Sequence, residues 1–142
     1  MKVASIIVSV LIAIVLWSPS ASTKSPQQPE ELAQQSAQGW LALVDSGKYP
    51  ESWDAAAEAF KNAVTKDQWQ QALKSARAPL GKLQSRKLKS ATYAKSLPGA
   101  PTGEYVVIQY DASFENKKSA VETITPMLDK DGKWRVSGYF IK

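Results

Sequence analysis

The spacing of apolar residues changes once along this chain, near Arg86, and that change limits the folds open to it. Before Arg86, apolar residues recur at the three-and-four spacing of a helix with one buried face. After it they alternate, with more β-branched and aromatic residues, as in strands. The expected class is therefore α+β: three N-terminal helices packed on a curved four-stranded antiparallel sheet. Strands are expected at about 86–96, 104–114, 119–128 and 133–141. The connections Glu115-Asn116-Lys117-Lys118 and Asp129-Lys130-Asp131-Gly132 are too short for a crossover, so strands two to four form an antiparallel meander.

Punctuation places the helices. Pro29 suits a first helical turn, Glu30 and Glu31 favour the positive end of the helix dipole, and Gly47 supplies the stop. Leu32, Ser36, Trp40, Leu43 and Val44 then form the first stripe. A second helix from Pro50 and Glu51 is expected to bury Trp53, Ala56, Ala57, Phe60 and Val64. Thr65-Lys66-Asp67-Gln68 is a capping box opening a third, with Trp69, Ala72, Leu73 and Ala76 inward and Pro79 with Gly81 at its end.

Two four-residue turns fix a register. One face then carries Val106/Met127/Trp134, Ile108/Thr125/Val136, Tyr110/Thr123/Gly138 and Ala112/Val121/Phe140, and is the expected core. The other carries Asp111/Glu122/Tyr139 and is more polar. Pro126 is the weak point, because proline cannot donate to a ladder and a bulge there would shift the pairs beyond it.

The first residues bear on location. After Lys2, Val3 to Trp17 are 15 uncharged, mainly apolar residues. A spanning helix wants roughly 20, whereas a secretory core of about 7 to 15 is followed by small residues, here Ser20-Ala21-Ser22. The expected organisation is a signal peptide at 1–22, a leader at 23–28 and one domain at 29–142. The protein is expected in a bacterial periplasm or secreted, with no stable membrane span after processing. An uncleaved anchor is the alternative.

Composition removes much chemistry. The chain has no cysteine and no histidine. Disulfides, cysteine nucleophiles, imidazole bases and the usual zinc sites are therefore out, and no cofactor or metal is expected. There are 18 basic and 13 acidic residues, a net charge of +5. Their distribution is uneven. Residues 68–103 hold seven basic residues, Lys74, Arg77, Lys82, Arg86, Lys87, Lys89 and Lys95, and no acid. This belt can attract an anionic envelope component or an acidic partner, with Arg77, Lys82, Arg86, Lys87 and Lys89 as the anion-binding candidates. It can equally be a solvated helix face and an edge strand guarded by lysines. Nucleic acid is not an expected partner after export, and only Tyr93 is interleaved as an aromatic.

Asp111 and Glu122 face each other beside Tyr139 in this register, but on the polar face, where water leaves paired carboxylates ionised and ordinary. The core face offers more. Tyr110, Thr123 and Thr125 are hydroxyls on an apolar surface, and Gly138 leaves a gap that Trp40, Trp53 and Trp69 can wall, making a small-ligand site. The same aromatics can be plain core.

Trp40, Ser52-Trp53, Arg77-Ala78-Pro79-Leu80-Gly81, Arg86, Leu97-Pro98-Gly99-Ala100-Pro101 and Asp131-Gly132-Lys133-Trp134-Arg135-Val136-Ser137-Gly138-Tyr139 carry a resemblance. The chain resembles the exported bacterial domain of unknown function four-thousand-nineteen, a family with no established activity. It is also loosely similar to NTF2-like and cystatin-like folds, which implies a cavity between helices and sheet. The expected function is a non-catalytic envelope binding module for an unknown small ligand. The alternatives are a protein-interaction or envelope stress factor using residues 68–103, and a small hydrolase or isomerase using carboxylate or tyrosine chemistry.

Overall fold

Local chemistry explains most of the helix boundaries in the computed structural model, which describes residues 26–142. The expected signal peptide, its processing site and the first half of the leader lie outside those residues. Helix α1 (Pro29–Asp45) has Pro29 in its first turn with Glu30 and Glu31, and Gly47 follows its end at φ 75°. Its buried stripe is Ala33, Ala37, Trp40, Leu41 and Val44, rotated slightly from the expected one. Ser36 remains at the interface, donating to the Trp134 carbonyl at 2.8 Å.

The expected second helix is two, α2 (Tyr49–Asp54) and α3 (Glu58–Ala63). The Ala57 N–H, which a continuous helix would use internally, instead donates to the Val136 carbonyl at 2.8 Å. A tertiary bond to the sheet thus replaces a helical one. The capping box opens α4 (Lys66–Arg77): Gln68 N–H donates to Thr65 Oγ1, and Thr65 N–H to Gln68 Oε1. Its buried residues are Trp69, Leu73 and Arg77, while Ala72 and Ala76 are exposed, contrary to expectation. A 3-10 turn (Ala78–Leu80) and Gly81 at φ 74° lead into the sheet. A Cβ on Gly81 would stand 2.9 Å from Glu115 Cβ, so this turn needs glycine twice over.

Strands β1 (Leu83–Ala94), β2 (Tyr105–Phe114), β3 (Lys117–Leu128) and β4 (Trp134–Ile141) form one antiparallel sheet in the order β1-β2-β3-β4, the expected meander. Helix α1 touches all four strands, and the main core joins its stripe to Trp69, Leu73, Val106, Ile108, Tyr110, Ile124 and Val136.

The register differs from expectation, with consequences for every face assignment. Phe114 pairs with Lys117, leaving only Glu115 and Asn116 in the β2–β3 turn, and the register shifts between Ala112 and Phe114. Shortening the turn by two residues would preserve the face; the bulge supplies the odd step that turns β3 over. Tyr110 therefore pairs with Glu122 and Ile108 with Ile124. Glu122 and Ile124, both 0% exposed, face the helices, while Thr123 and Thr125 face the other way. A second shift falls between Thr125 and Pro126, the anticipated position. Val136 is core as expected, but beyond the bulge Tyr139 points inward, and Phe140, assigned to the core from sequence, is 50% exposed.

Candidate functional site: a buried ion-pair cluster beside a polar cleft

The inversion of β3 places a carboxylate in the core, and the structure answers it with two arginines. Glu122 accepts from Arg86 Nε at 2.6 Å and Nη2 at 3.1 Å, and from the Tyr139 hydroxyl. Arg77 Nη1 lies 3.7 Å from Glu122 Oε2 and donates to Tyr139 Oη at 3.2 Å. Asp45, at the end of α1, closes the ring. It accepts from Arg77 Nη2 at 2.8 Å and from Arg86 Nη1 and Nη2 at 2.7 and 3.0 Å. Two guanidiniums face two carboxylates, so the charge sums to zero. Such a cluster repays its desolvation only when the geometry is complete.

The ionisation behaviour follows. Burial raises the Asp45 carboxyl, but the hydrogen bonds from Arg86 and Arg77 outweigh it and hold the group below its usual range. Burial opposes charge on Arg86, yet bonds to Asp45 and Glu122 raise it, and Arg77 is likewise raised. Burial and the neighbouring Glu122 charge push the Tyr139 phenol far up, and burial also raises Tyr110. Both tyrosines are therefore neutral donors at physiological pH, and no hydroxyl in the cluster is activated as a nucleophile.

One group is left over. The Tyr110 hydroxyl is buried and has no hydrogen-bond partner among the described residues, although it feels the charges of Arg86 and Glu122. Tyr110, 5% exposed, is one of the residues lining an open cleft of about 360 Å³ between α1 and β1. Gln34, Gln38 and Asp45 border it from α1, Arg86 and the exposed Leu88 from β1.

The residues singled out from sequence are divided by this arrangement. Thr123, Thr125 and Gly138 lie on the face opposite Tyr110, so the expected four-residue notch is not assembled. A Cβ on Gly138 would meet only Thr125 Cβ, at 3.9 Å. The three tryptophans are core. The Trp40 and Trp69 rings lie 5.8 Å apart at a 38° tilt, and their indole N–H groups donate to the Ser52 carbonyl and Ser52 Oγ, at 2.8 and 3.0 Å. Trp53 donates to the Val64 carbonyl. The belt divides as well: Arg77 and Arg86 are spent on Asp45 and Glu122, whereas Lys82, Lys87 and Lys89 are exposed, Lys89 3.7 Å from Asp111. Lys87 and Lys89 lie on the edge strand β1, as guarding lysines would. Asp111 is exposed and separated from Glu122. Asp45 and Ser52 were not foreseen; neither carries a periodic signal. Among the described residues no group of three or more ligand side chains is placed to hold a metal ion, and no helix is long and apolar enough to cross a membrane.

Four strands in a meander, helices across one face and a closed charge cluster between them define an α+β domain whose main core lies on one face of the sheet. The chain belongs to the family described as "Protein of unknown function (DUF4019)", which it matches over residues 36–139. No curated protein matches it. A solved structure from Catenulispora Acidiphila is similar in fold, with a TM-score of 0.52 over 79% of this chain and 88% of that one, at 11% identity. Identity that low carries the fold alone.

Proposed function

We propose that this protein is a non-catalytic binding module of the bacterial envelope that takes a small neutral polar ligand in the cleft between α1 and β1. The observation that carries this reading is Tyr110, a lining residue of the cleft whose hydroxyl is buried and has no hydrogen-bond partner among the described residues. An unmet buried hydroxyl costs about 1–3 kcal/mol, which a ligand hydroxyl or amide can recover. Gln34 and Gln38 can both donate and accept, and Leu88 offers an apolar lip. An anion is disfavoured there because Asp45 and Glu122 already neutralise Arg86. The closed cluster and the raised tyrosines favour binding over catalysis. Export is supported by the run Val3–Trp17 with the small residues after it.

A thermal-shift panel of the processed protein tests this, with neutral polyols, N-acylated sugars and amino-acid amides set against phosphate, citrate and anionic polymers at two salt concentrations. Salt-insensitive stabilisation by a neutral compound is expected, since ligands of the native state raise its stability by mass action. Stabilisation by polyanions alone, lost in salt, would instead favour an interaction factor working through the exposed Lys82, Lys87 and Lys89.

A further inference from the structure

The two edges of the sheet are treated differently. β1 carries exposed lysines, whereas β4, paired only with β3, has an apolar outer end with Phe140 exposed. Its first part is covered, because the Ala57 N–H takes the Val136 carbonyl. Beyond the bulge none of the described residues does the same. Lys142 and Val121 exchange both backbone hydrogen bonds, at 3.0 and 2.9 Å, which marks a hydrogen-bonded pair. By the alternation of antiparallel ladders, Phe140 also turns its N–H and C=O toward β3, and those of Tyr139 and Ile141 point away from it. Among the described residues these outward groups have no backbone partner.

They border an open groove of about 520 Å³, with Tyr139 to Lys142 on one side and α4 on the other. The α4 wall includes Ala72 and Ala76, the small residues that sequence periodicity placed in the core and the structure leaves exposed. Such small side chains project little into the groove. The charged lining side chains are Lys117 and Lys142, with no side-chain carboxylate among them, and the part of α4 that lines the groove falls in the acid-free segment 68–103, past Asp67 in its first turn.

We propose that this groove binds an extended segment of a partner protein by strand addition to β4, with apolar side chains at alternate positions toward α4 and a carboxylate toward Lys117 and Lys142. Backbone bonds to an edge give affinity in such complexes, and the flanking wall gives selectivity. The groove shares no lining residue with the Tyr110 cleft, so each proposal can fail alone.

The test uses a fluorescein-labelled peptide, Asp-Val-Thr-Val-Thr-Val-Asp, and the same peptide N-methylated at alternate residues, titrated by anisotropy alongside sedimentation of the protein. Saturable binding with a Kd below about 1 mM is expected, weakened at least about tenfold by one of the two N-methylation registers. Ala72→Glu, an exposed helix position that tolerates the change, should weaken it about as much by crowding and charge, while Tyr110→Phe should leave it within about twofold. Undiminished binding of both N-methylated peptides, or of the parent peptide to Ala72→Glu, would overturn the proposal. So would absence of binding, or a concentration-dependent dimer that excludes the peptide, which would make a second copy of this chain the occupant.

Discussion

Replacing Glu122 by Gln keeps the side chain's size and removes only its charge, so it isolates what the ion-pair cluster contributes. Glu122 is fully buried, and its oxygens accept from Arg86 at two donors and from Tyr139. In the variant Asp45 alone faces two guanidiniums whose side chains are 7% and 15% exposed. One positive charge is then unbalanced in a poorly hydrated site, and the new amide turns a donor toward groups that are themselves donors. Breaking one side of a buried pair costs about 3–5 kcal/mol, whereas replacing both sides by apolar groups can be close to neutral. Glu122→Gln is therefore expected to cost about 3 kcal/mol or more, and Glu122→Leu with Arg86→Met less than the sum of the two single changes, with a coupling of about 1–3 kcal/mol. Urea unfolding with a common m-value reads both quantities. Asp111→Asn, on the opposite face, should change stability by less than about 0.5 kcal/mol. If Glu122→Gln were as mild as Asp111→Asn, the inversion of β3 and the cluster built on it would be refuted.

Asp45 adds a pH signature. Its pKa is lowered from 3.8 in the folded state, so its stabilising contribution is complete above that value and is lost as pH falls through the folded pKa. The stability gap between the protein and Asp45→Asn should therefore hold from neutral pH to about pH 4 and close below it, in acid-unfolding curves read by circular dichroism; a gap that opened on acidification would contradict the sign. The second bulge predicts a contrast along β4. Trp134, packed on the main core, should cost more than about 2 kcal/mol when changed to Ala, and the half-exposed Phe140 less than about 1.5 kcal/mol. Equal costs in denaturant melts would put Phe140 back in the core.

The sequence carried the architecture because its signals there are local. Pro29, Gly47 and the Thr65–Gln68 box each act within a few residues and are found where expected, and the short connections give the expected meander although the first turn is two residues rather than four. The side of the sheet was different. In β3 both alternating sets, Ala120-Glu122-Ile124-Pro126 and Val121-Thr123-Thr125-Met127, mix apolar with polar residues, so patterning could not choose between them and one odd residue in a bulge decided. Pro126 announced the other bulge because a missing donor is visible in sequence, whereas nothing at Ser113 marks the first. Arg77 and Arg86 were recognisable as functional types, but their partners come from a helix end and a strand remote in sequence. The break between α2 and α3 was hidden for the same reason, since it is made by β4.

The claim that the cleft holds a ligand rests on one hydroxyl, and Tyr110→Phe tests it most directly by removing that oxygen and nothing else. If the hydroxyl is unpaired until a ligand arrives, the variant without ligand is as stable as the parent or up to about 1 kcal/mol more so, because an unmet buried polar group is gone. The stabilisation by the neutral compound found in the thermal-shift panel is then abolished or reduced at least about tenfold in apparent affinity. A variant destabilised by more than about 1 kcal/mol that still binds that compound as the parent does would mean that the hydroxyl serves the fold, and that the cleft is not the binding site.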